Sequence, residues 1–157
     1  MAVFVADEQG SAVDVDRLRR LSEHVLVAER VPTTMELNVL CVDAASMAEL
    51  NVHHMGGSGA TDVLAFPMDL PGEAIAGEPA ILGDVVLCPE VAAAQAAEHG
   101  TTGAAELDLL VVHGILHLLG HDHAEPQDRD RMFGRTRELL ARFATAAGAG
   151  TADRSGA

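Results

Sequence analysis

The stretch VVHGILHLLGHDH, Val111 to His123, constrains the fold more than any other part of the chain, because it asks one helix to be both core and chemistry. Val111, Val112, Ile115, Leu116, Leu118 and Leu119 give that helix an apolar surface wide enough to be enclosed on most sides. Among them stand His113 and His117, four apart, and at ~3.6 residues per turn they project from one face about a turn apart. Two imidazoles so placed can share a metal ion. Gly120 breaks the helix, and the chain can turn there to bring His121, Asp122 or His123 back toward the same point. Three neutral nitrogen donors leave the fourth position of tetrahedral zinc open, as catalytic sites do. A single histidine on an apolar face is usually a core residue satisfied by a hydrogen bond. That account fails for four histidines, out of eight in the chain, gathered between 113 and 123.

The same i, i+4 spacing occurs in the metalloprotease signature H-E-x-x-H, whose glutamate is the general base. Here that position is Gly114. Without the base, proteolysis by that route is disfavoured, and the metal itself must polarise the scissile group and activate water.

The remainder of the chain reads as alternating strands and helices. MAVFVAD and MELNVLCVD have the composition of strands, and between them DVDRLRRLSEHVLVAERV repeats Val15, Leu18, Leu21, Val25 and Ala28 at helical spacing. Asp43 is placed to cap a short helix, AASMAELNVHHM, and GGSGA ends it. TDVLAFP and ILGDVVLCP are two more strands, separated by the acidic loop MDLPGEAIAGEPA. Pro89 suits the first turn of a helix that runs to His99 and stops at Gly100. The motif helix spans about Gly103 to Leu119, and a last helix about Arg129 to Ala144. We therefore expect an α+β fold in a single domain, residues 1–144, with a small mixed sheet of about four strands covered by helices, and a disordered small, polar tail at 145–157.

Composition narrows the function. All ten cationic side chains are arginine, and the formal net charge is −14. An acidic chain is repelled by bulk polyanions, so a nucleic-acid role requires a local basic patch. Cys41 and Cys88 sit in apolar, strand-like runs and read as small buried hydrophobes. No signal peptide or membrane span is recognisable, so a cytoplasmic protein is expected.

HGILHLLGHDH resembles the H-G-x-L-H-L-x-G-[HY]-D-H motif of the YbeY family of bacterial rRNA maturation factors. LNVHHMGGSGATDVLAFP and LGDVVLC are similar to two further blocks of that family, in the same order, so that the resemblance covers residues 35–140. It implies a zincin-like fold and a zinc-dependent endoribonuclease specific for single strands, acting in maturation of the small-subunit rRNA 3′ end and in ribosome quality control. By position, His113, His117 and His123 match the family's zinc ligands, one ion per chain. Ribosomal RNA and the small ribosomal subunit are the implied partners, and a monomer is expected. The alternative is a non-catalytic, zinc-bearing ribosome-assembly factor. Two positions depart from the pattern: Met55 replaces an arginine carried by many members, and His54 stands where an aromatic residue is usual. Met55 cannot pair with phosphate.

No catalytic acid or base is identified by spacing alone, and the candidates are His121, Asp122 and Asp62. Asp62, Asp84 and Asp122 could instead orient a ligand histidine. GGSGATD leads into a strand and has no lysine, so it reads as a turn rather than a phosphate loop. Arg131, Arg135 and Arg142 share one side of the last helix. With Glu138 among them they read first as a solvated, salt-bridged face, and otherwise as a basic contact for RNA.

Overall fold

The computed structural model describes residues 2–55, 59, 61–73, 78–121 and 125–155. The chain order is β1 (Ala2–Glu8), α1 (Val15–Ala28), β2 (Met35–Val42), α2 (Ala44–Met55), β3 (Val63–Pro67), β4 (Ala80–Leu87), α3 (Pro89–His99), α4 (Gly103–Leu118) and α5 (Pro126–Ser155). The strands form one mixed sheet in the order β1-β2-β4-β3. β1, β2 and β4 are parallel, and β3 runs antiparallel to β4 along an edge.

The expected α+β architecture and its four strands are thus observed. Asp43 caps α2 as expected, its Oδ1 accepting from the Ser46 N–H at 2.7 Å, and Pro89 and Gly100 bound α3. α5 starts at Pro126, three residues before the expected Arg129, and its helix is traced to Ser155. Alanine dominates 144–148, and alanine has the highest helix propensity.

Alternation along β2 divides the core. Met35, Leu37, Val39 and Cys41 point to one face, where they join Val85 and Leu87 of β4 and the apolar sides of α1, α4 and α5. Val42, Val86 and Leu64 point the other way, onto Met47 of α2. Cys41 and Cys88 are fully buried free thiols, and burial pushes Cys41 up to about 12.

α4 lies at the centre of the larger core. Ten of its sixteen residues are buried, including Val111, Val112, Ile115 and Leu116, each at 0% exposure. Its approach to the sheet is closer than ordinary side chains permit: a Cβ at Gly114 would stand 2.7 Å from Val85 Cγ1 and 3.3 Å from Val63 Cγ2. Leu118 packs over Gly83, where a Cβ would come within 2.9 Å of Leu118 Cδ2 and into the Phe66 carbonyl. α4 is also tied laterally. Asp108 accepts from Arg17 Nη2 at 2.8 Å and Nε at 3.1 Å, joining it to α1, and Glu106 accepts from His99 Nδ1 at 2.9 Å, joining it to α3.

Two expectations follow. Gly114→Ala gains helix propensity worth ~1 kcal/mol but drives a methyl into a stiff, buried valine, and overpacking costs about 1–3 kcal/mol. Urea denaturation should show net destabilisation, partly relieved when Val85→Ala is added; a more stable Gly114→Ala protein would contradict the close contact. The Glu106 carboxylate holds His99 above its ordinary value of 6.5. This pair therefore contributes stability that is complete below the unfolded-state value and is lost as pH rises through the raised one. NMR titration should place His99 above 6.5, and Glu106→Gln should bring it back down.

Candidate metal centre and active-site cleft

α4 ends in a closed turn just past His117. Gly120 has φ 98°, its N–H donates to the His117 carbonyl, and the His121 N–H donates to the Leu116 carbonyl, both at 3.0 Å. This is a Schellman closure, in which the left-handed residue satisfies carbonyls that the ended helix leaves open. Among the described residues nothing lies within 4 Å of a Cβ at Gly120, and its positive φ is the backbone need that the glycine answers. The turn expected there forms.

His113 and His117 are half-buried on one face of α4, with ring centroids 5.4 Å apart and planes at 67°. They open into a cleft of about 230 Å³ between α4 and the edge strand, walled by Val63, Leu64 and Ala65 and floored by Gly114. Asp62 lines the same cleft. Its Oδ1 accepts from the Val63 N–H at 2.8 Å, and its carbonyl accepts from the Cys88 N–H at 3.0 Å, so β3 and β4 both fix its position. Local sequence gives no reason for Asp62 to meet the histidines, which lie some fifty residues further along the chain. Only the placing of α4 over β3 and β4 brings them together.

The other candidates separate. His121 lines a neighbouring cleft of about 380 Å³ with Asp128 and Arg131, beyond the Gly120 turn. Asp122 and His123 lie outside the described residues, and among the described residues no three histidine, cysteine or carboxylate side chains converge as a metal-binding group. Asp84 does not orient a ligand histidine. It lies on the sheet face opposite α4, where Asn38 Nδ2 donates to its Oδ1 at 3.0 Å, because side chains alternate along β4 and Val85 takes the α4 side.

The arginine face of α5 takes the salt-bridged form. Arg135 pairs with Glu29 at 2.5 Å and Glu138 at 3.1 Å, Arg142 with Glu138 at 2.6 Å, and Arg131 with Asp128 at 3.7 Å. Glu29 and Glu138 hold the Arg135 guanidinium still further above its ordinary range. Asn51 of the L-N block, on α2, donates from Nδ2 to the Gly59 carbonyl at 3.1 Å. One neighbour of the site was missed in the sequence. Phe133 of α5 lies with its ring centroid 5.9 Å from that of His113. Its signal was its rarity, since the chain has four phenylalanines and no tryptophan or tyrosine.

A family model described as Endoribonuclease YbeY matches residues 4–144. A protein of Salinispora tropica named Endoribonuclease YbeY is 52% identical over 149 residues, covering 90% of this chain and 95% of the relative. One of the same name from Thermobifida fusca is 51% identical, covering 90% and 93%. The solution structure of TM1509 from Thermotoga maritima superposes with a TM-score of 0.59 at 25% identity, over 92% of this chain and 93% of that one. An α4–β3 cleft bearing HGILH, on a chain matched this far along its length, places the protein in the YbeY endoribonuclease family.

Proposed function

We propose that the protein is a zinc-dependent endoribonuclease of the cytoplasm that cleaves single-stranded RNA, matures the 3′ end of small-subunit ribosomal RNA and serves ribosome quality control. The observation that carries this reading is the half-buried His113–His117 pair in a cleft shared with Asp62, on a chain half identical to proteins named Endoribonuclease YbeY.

The donor chemistry suits zinc. Imidazole nitrogens favour it over magnesium or calcium, which prefer oxygen ligands. His117 also lies in the last turn of α4, where the carbonyl end of a helix favours a cation. His113 and His117 would hold the ion together with His123, which takes its place from the family motif. When bound, zinc supplies Lewis acidity toward a phosphodiester.

The remaining roles belong to the chain. Val63 and Ala65 form an apolar wall that excludes bulk water from one side of the cleft. Asp62 Oδ1 is engaged by the Val63 N–H, leaving Oδ2 as the atom that can accept a proton. Gly114 admits no base beside His113, since any side chain there meets Val85 and Val63, and this favours phosphodiester over peptide substrates.

Purified protein should hold about one zinc per chain by elemental analysis. Chelation should abolish cleavage of a ribosomal RNA precursor, His117→Ala should lower it by on the order of 100-fold or more, and casein should remain intact. Persistent binding to small ribosomal subunits with no cleavage under any divalent metal would replace this reading with the assembly-factor one.

The ligand set has its own test. Three histidines at 113, 117 and 121 on a continuous helix would spread over roughly 12 Å at ~1.5 Å per residue, too far for one ion. His121→Tyr should keep zinc and fold, whereas His123→Ala should lose most of the zinc and lower Tm. Zinc lost at 121 and kept at 123 would reassign the third ligand.

A further inference from the structure

α5 has two unlike flanks. With Met132, Thr136, Leu139 and Phe143 buried against the core, a turn of ~100° per residue sets Arg131, Arg135 and Arg142 on one side and Arg129, Phe133 and Arg137 on the other. The first flank is neutralised by Asp128, Glu29 and Glu138. The second is not. Arg129 and Arg137 are exposed and have no ion pair among the described residues, a condition that Arg30 alone shares among the other described arginine side chains. Arg137 lies back along the helix toward Gly134, where an added Cβ would meet its Nη2 at 3.9 Å.

Between these two arginines is Phe133, 38% exposed, with one side against the His113 ring at 5.9 Å and 35°. The other three phenylalanines are elsewhere. Phe143 is buried, and Phe4 and Phe66 lie on the sheet face away from α4. The flank is therefore a cation–aromatic–cation row of ~12 Å, set beside the cleft.

We propose that this row binds the single-stranded RNA substrate: a base stacks on the open face of Phe133, and the phosphates on either side pair with Arg129 and Arg137, directing the strand toward His113 and His117. The inference rests on the endoribonuclease reading above. Electrostatics selects this surface, because a chain of net charge −14 can hold a polyanion only where cations are left unneutralised. Stacking selects a single strand, since a duplex hides its base faces while unpaired bases stack on aromatic side chains without regard to sequence.

Binding is measured by anisotropy, in zinc-loaded protein, with a short unstructured oligoribonucleotide carrying the fluorescent base aminopurine. Phe133→Ala should weaken binding roughly 5- to 100-fold and abolish the quenching of aminopurine that stacking produces, and Phe133→Trp should restore both. Arg129→Gln with Arg137→Gln should weaken binding and flatten the salt dependence by about 1.4 in log–log slope, the value for two phosphate contacts to a single strand. Zinc content and Tm should not change. Arg142→Gln, on the neutralised flank, should have no effect on affinity. Unaltered affinity, quenching and salt slope in the Phe133 and arginine variants of a protein that cleaves RNA would overturn this proposal alone. RNA that binds through the row but is never cleaved would overturn the endoribonuclease reading and leave the row standing, and wild-type protein with no affinity for the oligonucleotide would overturn the row.

Discussion

The contact between Gly114 of α4 and Val85 of β4 is the constraint on which the remaining structure depends. It allows a helix backbone to settle onto the sheet at a distance that any Cβ would prevent, and Leu118 over Gly83 repeats the device about a turn further on. Three consequences follow together. α4 becomes the most buried helix, its histidines are drawn down beside β3, and the position next to His113 accepts a side chain only if Val85 gives way. The feature that separates this site from a zinc protease is therefore a packing requirement as well as a chemical one.

Charge is distributed in a way that serves this arrangement. Arg17 joins Asp108 of α4 and also lies 5.3 Å from the Phe143 ring centroid, so one side chain connects α1, α4 and α5. Arg135 does the same between α5 and Glu29 beyond α1. Asp108 and Glu106 are nearly buried carboxylates on α4, and each has a cationic or imidazole partner from a neighbouring helix. Such pairs add little net stability in partly exposed settings, but removing one partner would strand a desolvated charge. They fix which helix lies beside which. The arginines left over are the ones with freedom to meet a ligand.

Edge strand β3 explains why the cleft lies where it does. Among the described residues the sheet order β1-β2-β4-β3 leaves one side of β3 without a neighbouring strand, and α4 lies over its adjacent face. The result is a cleft with one wall of helix and one of strand. Among the described residues no helix is long and apolar enough to cross a membrane.

What the sequence by itself determined was local. Strand and helix identities, the cap at Asp43, the stop at Gly100, the shared face of His113 and His117 and the turn at Gly120 all follow from periodicities and backbone preferences that act within a few residues. The ligand set rests on the family motif alone, and His123 and Asp122 lie outside the described residues. What only the tertiary structure decided was long-range. Asp62 meets the histidines through the docking of α4 on β3, Asp84 turns away because of strand alternation, and Gly114 is explained by a valine nearly thirty residues earlier. The arginines of α5 show the limit most clearly. Helical angle grouped 131, 135 and 142, and Asp128 and Glu138 of the same helix pair with them, but Glu29, which holds Arg135, comes from elsewhere in the fold, and the flank beside His113 became visible only once α4 and α5 were packed. A helix's own sequence sets which residues share a side, and only its neighbours decide what that side faces.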